Sequence, residues 1–330
     1  MSSAFKYALA LAQKLVATKP ENAEWAERLG AAHNNLGKIA LMRGDLATAI
    51  REYAADDRIE ADLSARDPRN NDQRRNVFRV RAILGRTWAL VGETDVAIRA
   101  LRDAVDIAEQ LKQLDPTITP LQENSALYQM QLSRLLRLGG NLSEAVELTN
   151  RSLETFVKLT QQDPGNASWQ RELAEVLTEH SAQLLASGQN EKARKAVDDA
   201  LSWLNPALDK RPDDRSTILA TLNARMLAAG FPGAPAPSNI RESCLTAIEA
   251  VKSGADDPRL IALKVSALLG LGRMDEAQGE IAVLRKGGYR DPQFVDELRL
   301  ARIDYPPETE FQQKVRMAVA EIQSKGASPN

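Results

Sequence analysis

Residues 36–53 read Leu-Gly-Lys-Ile-Ala-Leu-Met-Arg-Gly-Asp-Leu-Ala-Thr-Ala-Ile-Arg-Glu-Tyr, and residues 84–101 read Leu-Gly-Arg-Thr-Trp-Ala-Leu-Val-Gly-Glu-Thr-Asp-Val-Ala-Ile-Arg-Ala-Leu. The two stretches lie 48 residues apart. Leu36 pairs with Leu84, Gly37 with Gly85, Gly44 with Gly92 and Ala49 with Ala97. A third copy keeps Leu132, Gly140 and Ala145, and a fourth keeps Gly188 and Ala193 with His180 in the leucine column. Ser133 and Ser181 replace the second glycine there. Working outward, Pro20, Pro68, Pro116, Pro164 and Pro212 mark the same 48-residue period. The spacing then changes, to 46 at Asp257-Pro258 and to 34 at Asp291-Pro292. Several independent columns in one phase define an internal repeat.

Each column has a physical reading. The prolines are expected to open helices, where a missing backbone N–H costs nothing. Gly44 and its equivalents suit the left-handed turn that ends a helix. Asp45, Glu93 or Asn141 follows the glycine and suits the next helix N-terminus. The alanine column lets two helices approach closely. Leu46, Ala49, Ile50, Tyr53 and Ala54 recur at helical spacing, as do Ala97, Ile98, Leu101, Ala104, Val105 and Ala108. Each unit therefore predicts a helical hairpin. The expected helices are 21–43 and 46–66, 69–91 and 94–114, 119–139 and 142–162, 166–187 and 190–210. Residues 4–19 align with the second helix of a hairpin, without its partner. Residues 231–238, with Pro232, Pro235 and Pro237, must be an irregular loop. Helices are expected at 239–251, 292–302 and 308–324, with a frayed tail at 326–330.

Composition narrows the function. The chain has 330 residues, with 43 Lys and Arg against 45 Asp and Glu. That balance gives no electrostatic reason to bind nucleic acid, although Arg74, Arg75, Arg79, Arg81 and Arg86 form a short basic run. No apolar run is long enough to span a membrane. The lone Cys244 allows no internal disulfide. His33 and His180 differ in repeat position and predict neither a metal site nor a catalytic base. Trp25 and Trp169 share a repeat position, which points to packing. No phosphate loop or nucleophile constellation is visible. The expectation is a non-enzyme with no cofactor and no metal.

The set Leu36-Gly37, Gly44-Asp45, Ala49 and Tyr53 resembles the tetratricopeptide repeat. The later Gly272-Arg273-Met274-Asp275-Glu276-Ala277, with its 34-residue spacing, resembles the standard form of that family. The 48-residue period is longer by 14, about two turns on each helix. The resemblance implies an all-α fold, an α-α superhelix of stacked helical hairpins. The expected divisions are 1–212 (a half-repeat and four long hairpins), 213–292 (a degenerate repeat and one 34-residue repeat) and 293–330 (a C-terminal cap). It also implies that Lys38, Arg86 and Arg134, which share one repeat position, face a concave groove. Arg79, Arg137 and Asn34 lie within a turn or two of them. These six residues are the expected peptide-binding set, able to take an acidic segment or a chain terminus through the guanidinium fork. Glu172, Glu175 and Glu179 make the first helix of the fourth unit acidic.

The implied function is a scaffold binding a protein or peptide, without nucleic acid and without membrane insertion. The alternative is a sensor or regulatory region of a larger bacterial signalling enzyme, such as a Ser/Thr kinase or a cyclase. The boundary Pro20-Glu21-Asn22-Ala23-Glu24-Trp25 resembles those of the long repeats attached to such enzymes. The expected location is the cytoplasm, or the periplasm for a fragment of a membrane-anchored sensor.

Overall fold

A computed structural model describes residues 2–251 and 255–324. Each 48-residue period is two helices joined at its glycine. The helices are α1 (Ser2–Thr18), α2 (Ala23–Met42), α3 (Leu46–Arg66), α4 (Asn71–Leu90), α5 (Thr94–Leu114), α6 (Thr119–Leu138), α7 (Leu142–Gln162), α8 (Ala167–Ala186), α9 (Asn190–Lys210), α10 (Arg215–Ala229), α11 (Pro237–Glu249), α12 (Pro258–Gly270), α13 (Met274–Lys286), α14 (Pro292–Leu300) and α15 (Thr309–Ser324). Among the described residues there is no strand. The eight helices expected between residues 21 and 210 all form, each end within two residues of its expected place. The proline-rich stretch breaks the chain between α10 and α11, as Pro232 and Pro235 require. The tail at 326–330 lies outside the described residues.

The helix ends show why the repeat has its sequence. Gly44, Gly92, Gly140 and Gly188 all have φ between 72° and 86°, where a Cβ would be strained. The residue after each glycine donates its N–H back across the helix end. Asp45 reaches Ala40 O at 3.0 Å, Glu93 reaches Trp88 O at 3.1 Å, Asn141 reaches Leu136 O at 2.8 Å and Gln189 reaches Leu184 O at 2.9 Å. This Schellman closure satisfies carbonyls that the helix leaves orphaned. The boundary prolines behave differently from the expectation. Pro20, Pro68, Pro164 and Pro212 sit in the inter-repeat turn, and the cap is the residue two positions on. Asn22, Asn70, Asn166 and Asp214 each accept a backbone N–H of the first helical turn. Only later do prolines open helices outright, Pro237 on α11, Pro258 on α12 and Pro292 on α14, so the loop expected at 231–238 ends at 236 because a first helical position needs no N–H.

The alanine column lies where the two helices of a hairpin cross. Ala49, Ala97, Ala145 and Ala193 are fully buried. Opposite Ala97, a Cβ built on Gly85 would lie 3.1 Å from Ala97 O and 3.2 Å from the Ala100 Cβ. Where serine replaces that glycine it bonds across the crossing. Ser181 Oγ donates to Ala193 O at 2.7 Å, and Ser133 Oγ accepts from Thr149 Oγ1 at 2.8 Å. Larger side chains fill the space beside the crossings. Phe156 and Leu159 pack with Ala126, Leu173 and Val176, and burying a side chain of Phe156's size contributes about 2–3 kcal/mol.

The chain divides into two compact units that do not follow sequence order. Unit 1 holds residues 1–116 with 285–292 and 305–330; unit 2 holds 117–284 with 293–304. In unit 1 the C-terminal return packs on the first hairpins, with α15 against α3. Arg290 N–H donates to Leu90 O at 2.6 Å, beside the Gly92 turn. Arg290 also donates to Tyr305 O at 2.7 Å, and Tyr305 Oη donates to Tyr289 O at 2.7 Å. In unit 2 the hairpins α6–α7 and α8–α9 stack, and α10 packs on α9 and α11. Cys244 of α11 is buried with Ile218, Leu222 and Leu260.

Candidate peptide-binding site

Unit 1 carries four of the six candidate residues. Lys38 stands exposed on α2, and Arg79 and Arg86 stand exposed on α4. Arg79 and Arg86 are seven residues apart, about two turns, so they share a helix face. Arg79 takes the Asn76 side-chain oxygen at 3.3 Å. Its charge also reaches Asp56 and Glu60. Arg86 has interactions within the chain. Asn34, one turn before Lys38, points between α2 and α3. Its amide donates to Asp56 Oδ2 at 2.8 Å.

Unit 2 carries the other two. Arg134 is half-buried on α6, and one of its nitrogens donates to Gln293 Oε1 at 3.4 Å. Arg137 forms a two-pronged ion pair with Glu179 of α8. Its Nε donates to Oε1 at 2.7 Å and its Nη2 to Oε2 at 3.0 Å. Glu179 also accepts from Gln183 Nε2 at 3.1 Å, and Gln183 in turn reaches Thr149 at 2.8 Å. Arg137 thus closes a polar network joining α6, α7 and α8. The acidic run of α8 is part of the packing too. Glu172 is buried, and burial with the nearby charge of Glu123 pushes its carboxyl up to about 8 against the pull of Arg171. Glu123 itself accepts from Trp169 Nε1 at 2.9 Å.

The two histidines have structural partners or none. His33 Nδ1 lies 2.8 Å from Glu52 Oε2. The Glu52 carboxyl is raised by burial but lowered further by its bonds to His33 and Arg51, and so ends below the usual range. His180 Nδ1 is buried without a partner, and desolvation lowers the affinity of that ring for a proton. Burial pushes the Cys244 thiol up, away from thiolate chemistry. Among the described residues no group of His, Cys, Asp and Glu has the geometry to hold a metal ion. Also among them, no helix is long and apolar enough to cross a membrane.

No protein-family model matches the chain, and no curated protein does either. Solved structures resemble it at low identity. BtubC from P. vanneervenii is 13% identical over 93% of this chain and 92% of that one, with a TM-score of 0.46. A thermophilic TPR protein of Thermus thermophilus is 17% identical over 74% of this chain and 99% of that one, at 0.40. Yeast Tom70 is 15% identical over 97% of this chain and 62% of that one, at 0.39. At these scores the architecture rests on the chain's own helices and on its internal repeat.

Proposed function

We propose that the chain is a non-catalytic scaffold that binds a protein or peptide segment on its helical hairpins. The observation that carries this reading is the recurrence of exposed cations at one repeat position, Lys38 and Arg86, with Arg79 on the same face of α4. Packing at that position does not require charge, because the buried columns on either side already fill the crossings. A repeat array also multiplies such positions into an extended surface. The preferred ligand in this reading is acidic or ends in a free carboxylate, which a guanidinium fork holds at both oxygens. Arg134 holds the same repeat position in unit 2. Asn34 and Arg137 are engaged with the buried acids Asp56 and Glu179 and shape the surface beside the cations.

The test is selection from a random peptide library displayed with free C-termini. Peptides enriched on the wild-type chain should be acidic or carry a defined C-terminal residue. Their affinity should fall at least tenfold with Arg79→Glu plus Arg86→Glu, and fall with added salt. Enriched peptides that bind the double variant equally well would remove these residues from the site. A selection that enriches nothing would remove the scaffold reading itself.

A further inference from the structure

Three consecutive turns of α3 carry Glu52, Asp56 and Glu60, all buried. One period later the same positions are Ala100, Ala104 and Ala108; then Leu148, Ser152 and Phe156; then Ala196, Ala200 and Leu204. Phe156 and Leu204 are fully buried core residues. The first copy therefore places carboxyl groups where every later copy places apolar or hydroxyl side chains. The partner position on α2 has changed with them. Gly30 stands where the later copies have Phe78, Ala126 and Ala174. A Cβ at Gly30 would lie 2.7 Å from Asp56 Oδ1 and 3.2 Å from Glu60 Oε1. The glycine leaves room for both carboxyl groups, and it brings those two oxygens within about 6 Å of each other.

The groups facing this pair come from every element packed on α3. From α2 they are Glu27, His33 and Asn34; His33 is engaged with Glu52, and Asn34 donates to Asp56. From α4 they are Gln73, Asn76, Arg79 and Arg81. Gln73 donates to Glu27, Asn76 bonds Glu60, and Arg81 pairs with Asp57 at 3.3 Å. From α15 the nearest charges are Glu310 and Lys314, which pair with each other at 2.8 Å. Lys314 acts on Asp45, at the far end of α3. The only cation acting on both Asp56 and Glu60 among the described residues is Arg79, whose side chain is exposed. Two acceptors, Glu60 Oε2 and Gln73 Oε1, are buried with no donor. A buried pair of carboxyl groups with orphaned acceptors lacks a hydrogen, and the smallest group that supplies one is a proton.

We propose that Asp56 and Glu60 form a proton-binding latch that holds α3 tightly against α2 and α4, and that loses its hold when the pair ionises. Burial raises the Asp56 carboxyl to about 6, and burial with the charge of Asp56 raises Glu60 to about 7. Both lie above their unfolded values, so the fold favours the protonated form. The stabilisation is complete in acid, below about pH 4. It is lost as pH rises through about 6 and 7. Each unit of displacement is a tenfold bias on the opening equilibrium. The latch therefore works across the neutral range, and it loosens the first hairpin and its contact with the second.

Two measurements on the full chain test it. Carboxyl-carbon NMR should show Asp56 and Glu60 titrating between pH 5.5 and 8; titration of both near pH 4 would overturn the proposal. Hydrogen exchange, corrected for intrinsic rates, should show amides of α2 and α3 opening at least tenfold more at pH 8 than at pH 5.5. Asp56→Asn with Glu60→Gln keeps the shapes and supplies the missing donors, so it should flatten that dependence and protect α3 at pH 8. A wild-type chain whose pH dependence matches that of the double variant would also sink the idea. The wild-type titration decides the question even if the variant folds poorly.

Discussion

Replacing Ala97 with leucine tests the helix crossing that the repeat depends on. Ala97 is fully buried between α4 and α5. The space opposite it has no room for even one added carbon, since a Cβ at Gly85 would lie 3.1 Å from Ala97 O. A leucine adds three carbons with nowhere to go except into α4, so the two helices must separate or the side chain must leave its rotamer well. Overpacking of this kind costs about 1–3 kcal/mol, and the closeness of the backbone puts Ala97→Leu near the upper end. For a unit of this size each kcal/mol moves the midpoint by about 2–4 °C, so the variant should melt roughly 6–12 °C lower. The assay is thermal unfolding by circular dichroism, with hydrogen exchange locating the loss in α4 and α5. Arg99→Leu, on the exposed side of the same helix, is the control and should move the melt little. An Ala97→Leu melt within error of the parent would show that the alanine column is not a contact point, and the account of the repeat would fail with it.

Arg137→Ala should destabilise unit 2 by about 3 kcal/mol, because Glu179 is left buried without its cation; a urea midpoint equal to the parent's would mean that the pair contributes nothing. Glu172 is raised to about 8 by burial and by Glu123, so the stability linked to its proton is present in acid and falls as pH rises from about 4.5 through about 8. Glu172→Gln should therefore reduce the loss of stability between pH 5 and 9, measured by urea unfolding at both; an unchanged slope refutes the assignment. Cys244 should react with a disulfide reagent only as fast as unit 2 opens, so labelling should accelerate with urea. Rapid labelling in native buffer would contradict its burial.

The helices were legible in the sequence because their determinants are local. Gly44 had to be glycine for a reason that involves no neighbour beyond six residues, its positive φ. The boundary prolines were less clear. Proline is tolerated both at a first helical position and in the turn before it, and the Asn22, Asn70, Asn166 and Asp214 column two residues on was the sharper signal. The candidate site was legible as a list of cations and not as a set of partners. Asn34 and Arg137 read alike as groove residues, yet each meets a carboxylate from another helix, Asp56 22 residues on and Glu179 42 residues on. Nothing in the periodicity of one helix reports such a pairing. The buried acids of α3 stand in the sequence as a mismatch between copies at one helix face, four residues apart at 52, 56 and 60. Glu60 against Ala108, Phe156 and Leu204 is a break in a core column.

The return of the C-terminal segment to the first hairpins has a consequence for how the protein is made. Arg290 meets Leu90 across about 200 residues of chain, and α15 meets α3 across more. On a ribosome, each long hairpin can form soon after it emerges, because its two helices are adjacent. Unit 1 cannot be completed then, since its last parts are synthesised after nearly all of unit 2. The equilibrium penalty for so distant a closure is modest, about 2 kcal/mol more than for a loop of about 20 residues. The temporal penalty is larger. The surface of α3 that meets α15, and that of the Gly92 turn, stay uncovered on a nascent chain until residues 285–324 have been made.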